Sequence, residues 1–153
     1  MQPRIETKRA LVVVRTYPVP EEDGVESSCT AAITEEGEWL RLFPIAYRYL
    51  PDHQRFQKYQ WIEVRVTKKS SDPRPESYRP HVNSIKILGD PIPTNNYWQA
   101  RKDILFPLRA CSLCDLERRR AKNDFPTLGF FRPRVIERLQ IVAAVPSEWT
   151  DPN

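Results

Sequence analysis

A mainly-β member of the α+β class, built as a small, partly open barrel of the OB kind with two short C-terminal helices, is what this sequence predicts. Three observations carry that reading. Several runs of strand length alternate aliphatic and polar residues, the period-2 pattern of a sheet with one buried face. The chain holds 15 prolines against 4 glycines, and proline stiffens connections while excluding long helices. Clear helix-capping signals begin at Asn95. With 153 residues and 40% hydrophobic composition, a single domain spanning 1–153 can bury a real core.

The elements follow in order. Residues 8–16 contain Ala10-Leu11-Val12-Val13-Val14, a continuous apolar run that reads as a central strand buried on both faces. Tyr17-Pro18-Val19-Pro20 stops it, and an acidic loop follows with Glu21, Glu22, Asp23 and Glu26. Ser28-Cys29-Thr30-Ala31-Ala32-Ile33 is a second strand. Glu35-Glu36-Gly37 turns the chain into Trp39-Leu40-Arg41-Leu42-Phe43, completing a hairpin. A loop or short helix covers 43–51. Trp61-Ile62-Glu63-Val64-Arg65-Val66 is a clear alternating strand. Residues 67–80, rich in Lys and Pro, read as an ordered loop or arm held extended by their prolines. Residues 82–88 read as another strand. Asn95 and Asn96 cap a helix over 97–105. Ser112, with Asp115 three residues later, opens a helix over 113–122. Residues 127–133 form a turn with buried aromatics, and 139–145 read as a closing strand.

Strand alternation sorts the functional candidates. Leu40 and Leu42 share one face, while Trp39, Arg41 and Phe43 share the other. The later strand repeats this, with Ile62, Val64 and Val66 inward and Trp61, Glu63 and Arg65 outward. A face carrying Trp and Arg either packs beneath another element or offers bases a stacking platform beside phosphate-seeking cations. The pattern leans toward the platform. Lys68, Lys69, Arg74, Tyr78 and Arg79 on the stiff loop can grip a phosphate backbone. Otherwise they form a solvated connector whose Asp72 and Glu76 pair locally with Arg74 and Arg79. Arg132 and Arg134 flank a glycine turn and can project together. Arg118, Arg119 and Arg120 fan around a helix and read as a charged outer face.

Net charge is +4, mildly basic, with the cations concentrated after the acidic block. No catalytic motif is present: there is no Walker A loop, no G-x-S-x-G, no H-E-x-x-H and no G-x-G-x-x-G. Two histidines leave few options for acid–base chemistry. Cys111-Ser112-Leu113-Cys114 is a lone C-x-x-C without the further ligands that zinc requires. These cysteines and Cys29 read as reduced, small core residues. No cofactor and no metal are expected, and a binder is favoured over an enzyme. No stretch is long enough to span a membrane, and the N-terminus lacks a signal-peptide core, so a cytoplasmic location is expected.

Several motifs resemble a group of uncharacterised bacterial proteins encoded on mobile elements or near defence genes. They are Gly37-Glu38-Trp39-Leu40-Arg41-Leu42-Phe43-Pro44, Lys58-Tyr59-Gln60-Trp61-Ile62-Glu63, Asp72-Pro73-Arg74-Pro75-Glu76-Ser77-Tyr78-Arg79-Pro80 and Leu128-Gly129-Phe130-Phe131-Arg132-Pro133. The signature is Gly-x-Trp-[Ile/Leu]-Arg-Leu-[Tyr/Phe]-Pro followed by the proline-rich run. More distantly, Cys29 with its small neighbours and the Gly-x-Trp-Leu-Arg motif is similar to dual OB-fold proteins of bacterial conflict systems. The resemblance implies an accessory or subunit of a defence or mobile-element complex and carries over no catalytic residue. Residues and resemblance together lead to one expectation: a non-catalytic nucleic-acid-binding domain for DNA or RNA. The alternative is a protein–protein adaptor using the same aromatic-Arg face.

Overall fold

The computed structural model describes residues 4–21, 25–68, 71–122 and 126–143. The strands are β1 (Ile5–Arg15), β2 (Val19–Pro20), β3 (Glu26–Thr34), β4 (Trp39–Ile45), β5 (Trp61–Thr67), β6 (Ser77–Pro80) and β7 (Lys86–Ile87). Five of them close into an OB-like barrel. β1 pairs antiparallel with β3 on one side and β5 on the other. β3 pairs with β4, β4 runs parallel to β6, and β6 pairs antiparallel with β5. The seam through β6 is narrow, because two register pairs join it to each neighbour, Arg41↔Ser77 and Leu42↔Tyr78 on one side and Val66↔Pro80 and Thr67↔Arg79 on the other. β2 and β7 extend the sheet at β3 and β5.

Side-chain alternation drives this closure. Ala10, Val12, Ala32, Leu40, Leu42, Ile62, Val64 and Val66 point into the barrel and are fully buried. Each large aliphatic there contributes roughly 1.5–3 kcal/mol through burial. The β4–β5 connection seals one mouth with buried Leu50 and Phe56, and the Tyr47 hydroxyl donates to the Phe56 carbonyl at 2.6 Å. Gly37, at φ +80°, makes the β3–β4 turn that a side chain would strain.

A second cluster forms outside the barrel, where Leu11, Val13, Ala31 and Ile33 are buried by Ile92, Ile104, Leu105, Leu108 and Leu128. Residues 10–13 of the run are thus covered on both faces, as its composition predicts, whereas Val14, the last residue of the expected buried run, is exposed. The covering residues come from Ile92 in the segment before α1, from α1 (Asn95–Leu105), from the 3₁₀ turn Phe106–Leu108 and from the later segment. α2 (Leu113–Arg120) follows, with Ser112 Oγ accepting from the Asp115 amide at 3.1 Å as its cap.

Three expectations need correction. The strand expected at 82–88 is a 3₁₀ turn, Val82–Ser84, followed by two strand residues. Of the closing strand expected at 139–145, residues 139–143 form no strand, with Leu139, Ile141 and Val142 exposed, and 144–145 lie outside the described residues. The reason is topological: the barrel ring is already closed, so those residues meet no free edge of it. The strand that closes the ring is β6, inside the proline-rich run expected to be a loop. Among the described residues, no helix is long and apolar enough to cross a membrane.

Candidate nucleic-acid interface

The two tryptophans occupy one transverse row. Trp39 lies opposite Ile33, Ile33 opposite Leu11, and Leu11 opposite Trp61. Three strand spacings separate the indoles, roughly 14 Å around the barrel. Ile33 and Leu11 between them are sealed by the C-terminal cover, and both indoles are half-buried at its margins. The row is therefore an apolar contact with flanking aromatics, and the open two-indole platform does not form. Cover wins because β1 and β3 carry Leu11, Val13, Ala31 and Ile33 outward, a surface too apolar to leave in water.

Farther along β4 the face opens. The Arg41 guanidinium lies 4.7 Å from the centroid of exposed Phe43, and its Nη1 donates to Ser77 Oγ at 2.9 Å. The cation is thereby positioned over a ring without being neutralised. On β5, Arg65 is exposed, while Glu63 takes up Arg9 at 3.3 Å and Lys86 at 3.1 Å. Those two cations hold the Glu63 carboxyl below its ordinary range, Lys86 acting most strongly. Arg79 is exposed on neighbouring β6. Neither the Arg65 nor the Arg79 guanidinium has a hydrogen bond or ion pair among the described residues.

The described cations of the 68–76 loop, Lys68 and Arg74, are spent on the loop itself. The Lys68 ammonium donates to the carbonyls of Arg74, Pro75 and Ser77, the last two at 2.8 and 3.1 Å. Burial pushes its pKa down. Arg74 grips Asp72 with two parallel bonds of 2.8 Å, which hold the Asp72 carboxyl well below the usual carboxylate range. The local Asp72–Arg74 pair matches the connector alternative. Glu76 does not join it. That residue is buried and accepts from the Thr127 amide and hydroxyl at 2.7 and 2.6 Å. Tyr78 is half-buried against the barrel interior, 4.9 Å from Lys68 and 5.8 Å from Lys8, so its ring is not an open stacking surface. Arg132 and Arg134 are exposed in irregular chain. Lys69 lies outside the described residues.

The cysteines correct another expectation. Cys111 and Cys114 are exposed at the start of α2 and only Cys29 is half-buried, so the C-x-x-C pair does not serve a core. Among the described residues no group of three or more His, Cys, Asp or Glu could hold a metal ion.

Two features escaped the sequence reading. One is a pocket of about 220 Å³ at the sealed mouth, lined by Val12, Arg15, Tyr47, Phe56, Gln57 and Lys58. Its Arg15 lies 3.5 Å from the Tyr47 ring centroid. The other is an aromatic cluster of Tyr59, Trp98 and Arg101 beside fully projecting Tyr97. Its one sequence signal is Asn95-Asn96, which reads as a cap but equally marks a left-handed turn.

A family model described as a domain of unknown function, DUF8758, matches residues 6–107. That span holds the whole barrel from its second residue, and the covering helix α1. No curated protein and no solved structure matches the chain.

Proposed function

We propose, for a chain that belongs to the DUF8758 family, that it binds nucleic acid without catalysis, using the outer face of its barrel. Barrels of this kind take oligonucleotides on the face of their second and third ring strands and on the loops joining ring strands one to two and four to five. By that analogy of fold, the face here is β3–β4, with residues 16–21 after β1 and 71–76 before β6 at its sides. One observation carries the reading: Arg41, un-neutralised, held over exposed Phe43 at the centre of that face. An aromatic ring topped by a cation suits a base and its phosphate. Arg65 and Arg79 add positive charge around the barrel from it. The likeness to proteins encoded near defence genes and mobile elements supports a role as a cytoplasmic accessory or subunit in such a system.

The test is a titration of the chain against single- and double-stranded DNA and RNA, repeated with Phe43→Ala. Losing one base stack costs about 1–3 kcal/mol, so affinity should fall by about fivefold to a hundredfold with an unchanged melting temperature. Trp39→Ala should do the reverse, lowering stability by roughly 1–3 kcal/mol through lost packing on Ile33. No shift with any oligonucleotide at low salt sinks the proposal.

A protein–protein adaptor is the second reading. It is favoured by exposed Val14 and Tyr17, which lead into the acidic loop from the same end of β1.

A further inference from the structure

We infer that Tyr97 and Trp98, with Arg101 and Tyr59 behind them, form a second site that stacks the unpaired bases of a single-stranded nucleic acid. This rests on the nucleic-acid reading above but places the contact off the β3–β4 face.

Backbone strain points to it first. Among the described residues, four non-glycine residues adopt positive φ: Tyr59 at 61°, Asn96 at 50°, Tyr97 at 54° and Trp98 at 66°. Left-handed backbone is costly for residues with a Cβ, and such strain is concentrated at ligand sites in folded proteins. Here three of the four are aromatic, and two of them meet. The Tyr59 and Trp98 rings pack edge to face, with centroids 6.1 Å apart.

Arg101 orders the cluster. Its guanidinium carbon lies 3.9 Å from the Tyr59 centroid and 5.1 Å from that of Trp98. Nε and Nη2 both donate to the Ile92 carbonyl, at 2.8 and 2.5 Å. Nη1 has no acceptor among the described residues. A guanidinium already fixed on one edge loses little entropy when its other edge meets a phosphate.

Exposure completes the case. The left-handed turn leaves Tyr97 87% exposed, while Trp98, backed by Tyr59 and Arg101, is still 48% exposed. Arg101 makes no ion pair among the described residues, and Asp103 Oδ1 accepts instead from Gln99 Nε2 at 2.6 Å. Duplex bases are already stacked on each other, whereas unpaired bases have open faces to offer. The cluster therefore selects single strands.

The experiment uses the full chain and fluorescence anisotropy with labelled oligo-dT and oligo-U of about fifteen nucleotides, near the upper site size of such barrels, and a duplex of the same length. Tyr97→Ala is the main variant, because its exposed ring supports no packing. Trp98→Phe keeps a ring should larger changes at that position unfold the turn. Tyr97→Ala should weaken single-strand binding by about fivefold to a hundredfold and leave duplex binding unchanged. Arg101→Lys, which keeps the charge but loses the planar fork, should weaken it as well. Wild-type single-strand affinity in both Tyr97→Ala and Trp98→Phe overturns this site while Phe43→Ala still tests the barrel face. Equal weakening toward duplex and single strand also overturns it. No binding by the wild-type chain removes the nucleic-acid reading itself. Capture of a protein through Tyr97 in the absence of oligonucleotide binding assigns the cluster to the adaptor reading and overturns the proposal.

Discussion

Asp72 shows how much one residue decides in the proline-rich loop. Its carboxylate takes both Arg74 bonds at 2.8 Å and also accepts from the Arg74 amide at 3.2 Å. With a side chain only 16% exposed, the pair escapes most solvent screening, and a charge-assisted fork of this kind contributes roughly 1–3 kcal/mol. The folded carboxyl titrates well below its ordinary value, so its stabilisation is present above about pH 4, the unfolded carboxylate's range. It is lost as pH falls further, through the folded value. Asp72→Asn should therefore lower the urea midpoint at pH 7, and the gap between variant and wild type should narrow below pH 4. A gap that stays constant with pH means the fork does not hold the loop. The same fork would make Arg74 a poor phosphate ligand, because a nucleic acid would have to displace Asp72 to reach it.

At the scale of elements, the barrel strands were legible and their covering was not. Alternation located β3, β4 and β5, and the inward positions of Leu40, Leu42, Ile62, Val64 and Val66 follow from period 2 alone. β6 was hidden because it is four residues long, ends on Pro80, and gains its place from partners distant in sequence. Its parallel pairing with β4 leaves no local signature. The half-burial of Trp39 and Trp61 was one of two readings the strand pattern left open, and the pattern could not choose it, since it depends on Leu105 and Leu108 arriving from another part of the chain. The left-handed turn defeats periodicity altogether, because it interrupts α1 where a regular helix cap is expected. α2, in contrast, was readable from Ser112 and Asp115, and it invites its own test. A Cβ on Gly129 would stand 2.9 Å from Leu116 Cδ1, so α2 docks where only glycine leaves room. Gly129→Ala must push Leu116 aside, at a cost of roughly 1–3 kcal/mol for overpacking. α2 contributes no buried residue, so the cost should stay local. Amide exchange in α2 should speed up by about fivefold to a hundredfold while the amides of β1 and β5 keep their protection. Faster exchange throughout the barrel would mean that α2 is integral to its stability.

Across the whole molecule, the question is how many of its cations are available to phosphates. The chain carries 24 Lys and Arg, but the fold commits many of them. Arg9 and Lys86 serve Glu63, Arg48 serves Glu26, Arg55 serves Asp52, Arg74 serves Asp72 and Arg119 serves Asp115. Lys68 is tied to loop carbonyls. Among the described residues, Arg41, Arg65, Arg79 and Arg101 are left near the two proposed contacts with no ion pair to hold them. Three or four phosphate contacts on a single strand give a log–log salt slope of about −2 to −3. A tenfold rise in salt should then weaken oligonucleotide binding by about a hundredfold to a thousandfold. Anisotropy titrations over that salt range measure the slope directly. Arg41→Gln should make it shallower by close to one contact, about 0.7. A slope near zero would mean that the ligand is held by the apolar and aromatic surface alone, as an adaptor's partner would be. A slope much steeper than −3 would mean that the Asp72–Arg74 fork opens on binding and releases the loop's cations to the phosphates, an outcome that Asp72→Asn would mimic by tightening the complex.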